Sequence, residues 1–276
     1  MKRLTLWLIL LSFPVTGFSA ERIVSVGGSL TEIVYALGAE ELLVGSDTTS
    51  YYPPAAEDLP KVGYQRSLSA EGILSLNPDL LILSEESGPP TVLKQLESAG
   101  VSFLVNKAGR SLDDVKTNIQ SIAHALDRAD KGEELIQSID NTYQELQQTI
   151  LDNPESKKVM FIMQIAGGAP LVAGTNTAAD SMIRLSGATN VVSDYEGYKP
   201  LTPESLIVLK PEVIIMTDQG LEQAGGIESV LKSPGIAITP AAQQGNIVSM
   251  DSLKILGFGP RSANAALELK RQISTL

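Results

Sequence analysis

Apolar residues gather in short runs at 22–26, 80–84, 102–105, 159–163, 213–217 and 246–249, each four or five positions long and rich in Val, Ile, Leu and Met. Runs of that length without strict alternation predict strands buried on both faces. The stretches between them repeat apolar residues at three- and four-residue steps, as in Ile119, Ile122 and Leu126, which predicts helices with one buried side. Strands alternating with helices build parallel sheets covered by helices, so the expected fold class is α/β. The first unit shows this at its smallest. A strand over 22–26 meets a Gly27-Gly28 turn and then a helix over 29–37, with Ser29 as its cap and Glu32 three residues on.

A gapless internal repeat sets the organisation. Residues 69–82, SAEGILSLNPDLLI, align on 202–215, TPESLIVLKPEVII, at an offset of 133. Each copy reads as a hydroxyl cap, a short helix with a glutamate in its first turn, a proline stop, an acidic residue and a buried strand. The chain is therefore expected to form two similar Rossmann-like lobes, 20–129 and 153–276. Between them, 130–152 carries Leu135, Ile139, Tyr143, Leu146 and Ile150 on one helical face and stops before Asn153-Pro154. As one helix it spans about 33 Å. Two lobes joined by a single stiff helix leave a cleft of nearly fixed shape, the usual seat of a small ligand.

Composition narrows what that ligand can be. With 43% hydrophobic and 19% charged residues in 276, the chain is not disordered, fibrous or polytopic. Its 21 basic and 32 acidic side chains give a net charge of −11, which repels phosphate backbones and argues against a nucleic-acid partner. The absence of cysteine and a single histidine, His124, exclude thiol nucleophiles, iron–sulfur clusters, thiolate zinc and multi-histidine metal sites. A metal must be held through oxygen or thioether, or arrive inside a cofactor. His124 lies off the apolar stripe of its helix and is expected at the surface without a role.

Residues 1–19 carry Lys2 and Arg3, an apolar run over 4–13, Pro14, and small residues Gly17 and Ser19 before the expected cut, the pattern of a secretory signal peptide. The apolar run is shorter than the ~20 residues a membrane span needs. Cleavage leaves 19 basic against 32 acidic side chains, a net charge of −13. No cysteine stands at the cut to accept a lipid anchor, so the expected address is the Gram-negative periplasm.

IVSVGGSLTEIVYALG near the N-terminus, the glutamate-bearing repeat pair and the stiff central helix together resemble the helical-backbone class of periplasmic binding proteins, which feed ABC importers of cobalamin, siderophores and haem. The resemblance spans essentially the whole mature chain. VGYQRSLSAEGILSLNPDLL, GGAPLVAGTNTAADSMI, EGYKPLTPESL and LGFGPR are similar in particular to the haem-binding members. The resemblance implies a protein that captures haem and delivers it to an ABC permease, with an outer-membrane haem receptor system upstream. Ferric haem b is then cargo rather than a catalytic cofactor, and the protein is expected to act as a monomer.

In that class the iron ligand is the tyrosine of a Gly-Tyr-x-Arg stretch, here Tyr64 in Gly63-Tyr64-Gln65-Arg66. Phenolate is a hard anionic donor suited to ferric iron. An ordinary phenol has a pKa near 10, so the anion needs support at neutral pH. Ferric iron supplies most of it; Arg66 adds more by hydrogen bonding to the phenolate, or pairs instead with a haem propionate. Some members offer a histidine just before the Gly167-Gly168 pair, where this chain has Gln164, Ile165 and Ala166. Met163 is a candidate weak thioether ligand, and five-coordinate iron on Tyr64 alone is the expectation. The class also docks on arginines of a twofold-symmetric permease through two glutamates, which match Glu71 and Glu204 here.

Other residues are expected to shape the cleft. Gly27, Gly28 and Ser29 open a helix whose free amides would accept a propionate. The second lobe offers the Gly167-Gly168 pair, the flat ring of Tyr198 and the cation of Arg261. An acidic protein that binds a dianion needs such a locally basic site. Cobalamin or a ferric siderophore would suit the same architecture, and a cleft-based hydrolase is the other functional class. Ser229-Val230-Leu231-Lys232 matches Ser-x-x-Lys, but the companion Ser-Asp-Asn and Lys-Thr-Gly motifs are absent. A binding protein is expected, not an enzyme.

Overall fold

The computed structural model describes residues 20–166 and 169–276. The expected signal peptide and the Gly167-Gly168 pair lie outside the described residues. The first sheet has the strand order Leu43–Ser46, Ile23–Val26, Leu80–Ser84, Ser102–Asn106, all parallel. The second runs Tyr198–Pro200, Ala169–Ala173, Lys158–Ala166, Val213–Thr217, Ile247–Met250, with Thr189–Asn190 pairing beside the start of Lys158–Ala166. Its last three strands are parallel, whereas Ala169–Ala173 runs antiparallel to both its neighbours, Lys158–Ala166 and Tyr198–Pro200.

Side chains on successive strand positions point to opposite faces, and here both faces are covered. Val159, Phe161, Val213 and Ile215 enter one apolar cluster while Met160, Ile162, Ile214 and Met216 enter another. The first sheet divides the same way, with Ile23, Leu80 and Ile82 against Val24, Leu81 and Leu83. That is why these strands read as almost unbroken apolar runs. The inner cluster is continuous from the first sheet to the second and includes Ile139 and Leu146 of the helix between them.

That helix, Ala129–Asp152, is 24 residues long and packs on the helices Leu112–Ala125 and Ser262–Ser274. The buried Lys270 fixes the last of these by donating to the carbonyl of Asn153, just past the end of the long helix, at 2.7 Å. Among the described residues no helix is long and apolar enough to cross a membrane.

The repeat folds alike in both lobes. Ser69 Oγ accepts from the Gly72 amide at 3.1 Å and Thr202 Oγ1 from the Ser205 amide at 3.4 Å, opening the helices Ala70–Ser75 and Pro203–Leu209. Both copies reverse on a left-handed residue before the proline, Asn77 at φ 51° and Lys210 at φ 46°. The acidic residue ties down the start of the neighbouring strand in each lobe. Asp79 accepts from the amides of Glu21 at 2.9 Å and Arg22 at 3.2 Å, and Glu212 from that of Lys158 at 2.8 Å.

The first helix departs from expectation. It spans Gly28–Ala36, its cap is Gly27 at φ 113°, and no side chain caps it. The Ser29–Glu32 capping box does not form, because the Glu32 carboxylate is drawn to Arg261, far along the chain.

Candidate functional site

Ligands of open α/β sheets sit beyond the carboxyl ends of the strands. In this protein the parallel strands of both sheets point those ends at one cleft. The first lobe contributes the turn at Gly27-Gly28, Thr49 and Tyr51, Glu86, and Lys107–Arg110; the second contributes Met163, Gln219 and the segment at Ser252-Leu253. Asn176-Thr177 and Gly197-Tyr198 close the second lobe's wall. The cleft measures about 740 Å³, inside the range typical of small-molecule sites.

Tyr64 stands at its mouth. A hairpin pairs Gly63–Tyr64 with Ser67–Leu68 around a two-residue loop, Gln65-Arg66, so Tyr64 and Arg66 are presented together. Gly63 makes the tight approach workable: its φ is 103°, and a Cβ there would lie 2.8 Å from the Ser67 carbonyl. The hairpin is held to the loop after Leu80–Ser84 by Gly88 N–H to Gln65 O at 2.9 Å and Leu68 N–H to Gly88 O at 3.0 Å. The Tyr64 side chain stays 42% exposed. Its hydroxyl receives a long, weak contact of 3.5 Å from Arg66 Nη1.

Arg66 makes a stronger commitment elsewhere. Its Nη2 is in close contact with Glu86 Oε2, while Arg110 Nη2 reaches Glu86 Oε1 at 2.7 Å. Arg110 Nη1 also donates to the Asn176 carbonyl, so this arginine of the first lobe touches the second across the cleft. Burial works against the Glu86 anion, but the hydrogen bonds from Arg66 and Arg110 outweigh it and hold its carboxyl below the ordinary range. The same contact with Glu86 raises Arg66 further. Arg66, Lys107 and Arg110 are three cations against one carboxylate, Glu86, among the described lining residues. The cleft of this acidic protein is locally basic.

The Gly27-Gly28 amides are not free, which corrects their expected role as a carboxylate seat. Gly27 N–H donates to Asp47 Oδ1 at 2.9 Å and Gly28 N–H to Thr49 Oγ1 at 2.9 Å. Asp47 is fully buried and accepts from Ser50 Oγ and Thr49 Oγ1 as well, so the protein supplies its own anion at this helix start. The glycines serve close packing instead: a Cβ on Gly28 would collide with the Thr49 carbonyl and come within 2.8 Å of Leu253 Cδ1. Ser29 does line the cleft.

Arg261 is the second correction. It does not line the cleft. Its Nε and Nη2 donate to the two Glu32 oxygens at 2.8 and 3.0 Å, and its guanidinium stacks 3.6 Å from the Tyr52 ring centre. The Arg261 side chain is 22% exposed and that of Glu32 7%. Burial raises the Glu32 carboxyl despite the pull of Arg261. The neighbouring residues pack as tightly. A Cβ on Gly109 would lie 2.9 Å from that of the buried Phe258, and one on Gly259 3.1 Å from that of Ser29. The stretch 257–261 is thus a seam between the lobes. Tyr51 adds to it, donating to Asp251 at 3.0 Å and accepting from the Leu253 amide at 2.7 Å, with burial pushing its phenol up to about 12.

The other expected residues fall in three places. Met163 and Tyr198 line the cleft half-buried, and burial raises the Tyr198 phenol. Glu71 and Glu204 are exposed in the first turns of their helices, where the Glu204 backbone amide and the Thr202 hydroxyl hold the Glu204 carboxyl low. His124 is exposed at the end of its helix. Sequence reasoning passed over Glu86, Lys107 and Arg110. The usable signal was their place, directly after the strands Leu80–Ser84 and Ser102–Asn106.

Comparison with known proteins gives a consistent picture. The sequence profile described as periplasmic binding protein matches residues 23–253. The periplasmic heme-binding protein BhuT, solved in complex with two hemes, superimposes with a TM-score of 0.90 at 42% identity, covering 93% of this chain and 98% of that one. The periplasmic heme-binding protein RhuT from Roseiflexus sp. RS-1, in apo form, gives 0.88 at 40% identity, covering 93% and 99%. A vitamin B12-binding protein of Vibrio cholerae is 27% identical over 205 residues, 74% of this chain and 73% of that protein.

Proposed function

The chain belongs to the periplasmic binding protein family, and from that membership we propose that it captures ferric haem in the periplasm and delivers it to an ABC importer. The observation that carries the reading is the presentation of Tyr64 beside Arg66 at the mouth of a cleft whose described lining holds three cations and one carboxylate. The phenolate oxygen of Tyr64 takes the iron on one face of the haem. Arg66, Lys107 and Arg110 face the two propionates. Met163 and Tyr198 supply the apolar and flat surfaces against which a porphyrin ring packs. The iron is five-coordinate on Tyr64.

The protein is a carrier and not a catalyst in this reading. Residues 1–19 are removed on export, leaving lobes at 20–129 and 153–276 that act as a monomer, with an outer-membrane haem receptor system as the upstream source. Glu71 and Glu204, exposed at matching positions of the repeat, dock one lobe each onto the permease, and a twofold-symmetric partner matches that duplication. The vitamin B12-binding relative makes cobalamin the second reading. Its corrin side chains are largely amides, however, so a single phosphodiester would meet the three cations where haem brings two propionates.

Titration of the purified protein with ferric haem and with cyanocobalamin, followed by desalting and absorption spectroscopy, tests the proposal. Haem is expected to be retained with a high-spin spectrum and a phenolate-to-iron charge-transfer band that Tyr64→Phe abolishes. Retention of cyanocobalamin alone, or an unchanged haem spectrum in the variant, overturns it.

A further inference from the structure

Glu86 is the one carboxylate among the described residues that line the cleft, and it lies between two of the cleft's cations, Arg66 and Arg110. Each of its oxygens serves a different arginine: Oε2 meets Arg66 of the hairpin, and Oε1 meets Arg110 of the loop after Ser102–Asn106. Two guanidiniums thus share a single carboxylate, each giving it one N–H, with a net charge of +1 on the cluster. A guanidinium binds a carboxylate best through two parallel N–H bonds. Glu86 gives neither arginine that arrangement.

The cluster is also built to exchange partners. The Glu86 side chain is 32% exposed, and those of Arg66 and Arg110 are 55% and 37% exposed. Ion pairs so open to water are weak, and the glutamate can turn into solvent without desolvating a charge. Arg110 does not follow it, because Nη1 is anchored on the Asn176 carbonyl of the second lobe.

We propose that Glu86 is a specificity-determining residue that competes with ligand carboxylates for Arg66 and Arg110, tuning how strongly the cleft prefers a dicarboxylate over its uncharged counterpart. This rests on the haem reading and deepens it: haem carries two propionates, one for each arginine released. Removing the negative charge of Glu86 strengthens the attraction for both propionates, while leaving ligands without them unaffected.

The test is a matrix of two ligands and three proteins at low ionic strength. Ferric haem and ferric haem dimethyl ester, whose propionates are blocked, are titrated into the wild type, Glu86→Gln and Glu86→Asp, with the Tyr64 charge-transfer band read in every titration. Glu86→Gln is expected to bind haem about tenfold more tightly, a difference of ~1.4 kcal/mol, with that gain shrinking at high salt. Its affinity for the dimethyl ester is expected to stay within about twofold of wild type by the same affinity arithmetic. Glu86→Asp keeps the charge and so keeps the wild-type ratio between the two ligands; circular dichroism of both variants checks the fold. An unchanged or weaker affinity of Glu86→Gln for haem, or an equal gain for haem and ester, overturns the proposal and makes Glu86 a brace for the arginines. If the charge-transfer band forms throughout while the ratios stay flat, this inference fails and the haem reading stands. If the wild type forms no such complex, both fall.

Discussion

Replacing Arg261 by methionine keeps much of the stem that packs on Tyr52 and removes the charge facing Glu32. With both side chains largely buried and joined by hydrogen bonds of 2.8 and 3.0 Å, breaking the pair leaves a carboxylate in a poorly solvated site. Such losses run to 3–5 kcal/mol for fully buried pairs. The 22% exposure of Arg261 places this one at the lower end, about 3 kcal/mol at pH 7.5. The pH dependence carries a sharper signature. Burial already raises Glu32 against the pull of Arg261, and without the arginine it rises further. From about pH 4.3, where an unfolded glutamate releases its proton, up to that raised value, the native variant holds a proton that the unfolded chain does not. Stability then falls by up to ~1.4 kcal/mol per pH unit. The variant is expected to lie close to wild type near pH 4.5 and well below it at pH 7.5.

Urea unfolding followed by far-ultraviolet circular dichroism at the two pH values measures this, since the single tryptophan, Trp7, lies within the expected signal peptide and outside the described residues. The double variant Glu32→Gln, Arg261→Met removes the stranded charge and is expected to regain most of the loss, with unchanged ligand affinity because neither residue lines the cleft. A loss below about 1 kcal/mol that does not vary with pH would show that water reaches Glu32, and would refute the reasoning.

Three further outcomes are expected. Gly28→Ala drives a methyl group into the Thr49 carbonyl and Leu253, which costs about 1–3 kcal/mol of stability and shows as a lowered urea midpoint; a midpoint equal to wild type would mean the seam yields easily. Tyr51 has a folded pKa raised from 10.0 to about 12, so the stability it contributes is complete below pH 10 and fades toward pH 12; Tyr51→Phe is expected to lack that alkaline component in melts across the range. Reversing Glu71 and Glu204 together to lysine is expected to stop transport in a reconstituted permease assay while the isolated protein keeps its ligand affinity. Undiminished transport would remove the docking role.

Strands buried on both faces were legible because nothing interrupts the apolar run; Ser102–Asn106 showed the same run although, as the edge strand of its sheet, it is exposed or half-buried up to Val105. Leu43–Ser46 carries a glycine, and Tyr198–Pro200 is a short polar edge strand ending in proline, so neither announces itself. Tyr64 and Arg66 were readable as a pair because one hairpin loop presents them together. The Glu32–Arg261 pair spans 229 positions, and no local pattern foretells it. Reading Ser29 and Glu32 as a cap was sound local chemistry, overridden by a stronger partner from the far end of the chain. Arg261 stood out as a loose cation next to glycines for the same reason: its anion is invisible until the chain folds. Glu86 and Arg110 were recoverable in principle from their positions after two strands, though their sharing of one carboxylate was not.

The apolar cluster shared by both sheets and the long helix bears on how such a chain can be divided. A repeat at an offset of 133 residues reads as the trace of a duplication, and duplicated halves are often taken to be interchangeable modules. These are not. A fragment ending at 129 would turn toward water the face of Leu112–Ala125 on which the long helix now packs, Ile119 and Ala123 among it, and the complementary fragment would uncover the Gly132 side of that long helix. Grafting one lobe onto a relative would fail unless the facing sides of both long helices travelled with it. The unit that can be inherited, expressed or exchanged is the pair, and the old boundary between the copies survives in the sequence as a pattern and no longer in the molecule as a place to cut.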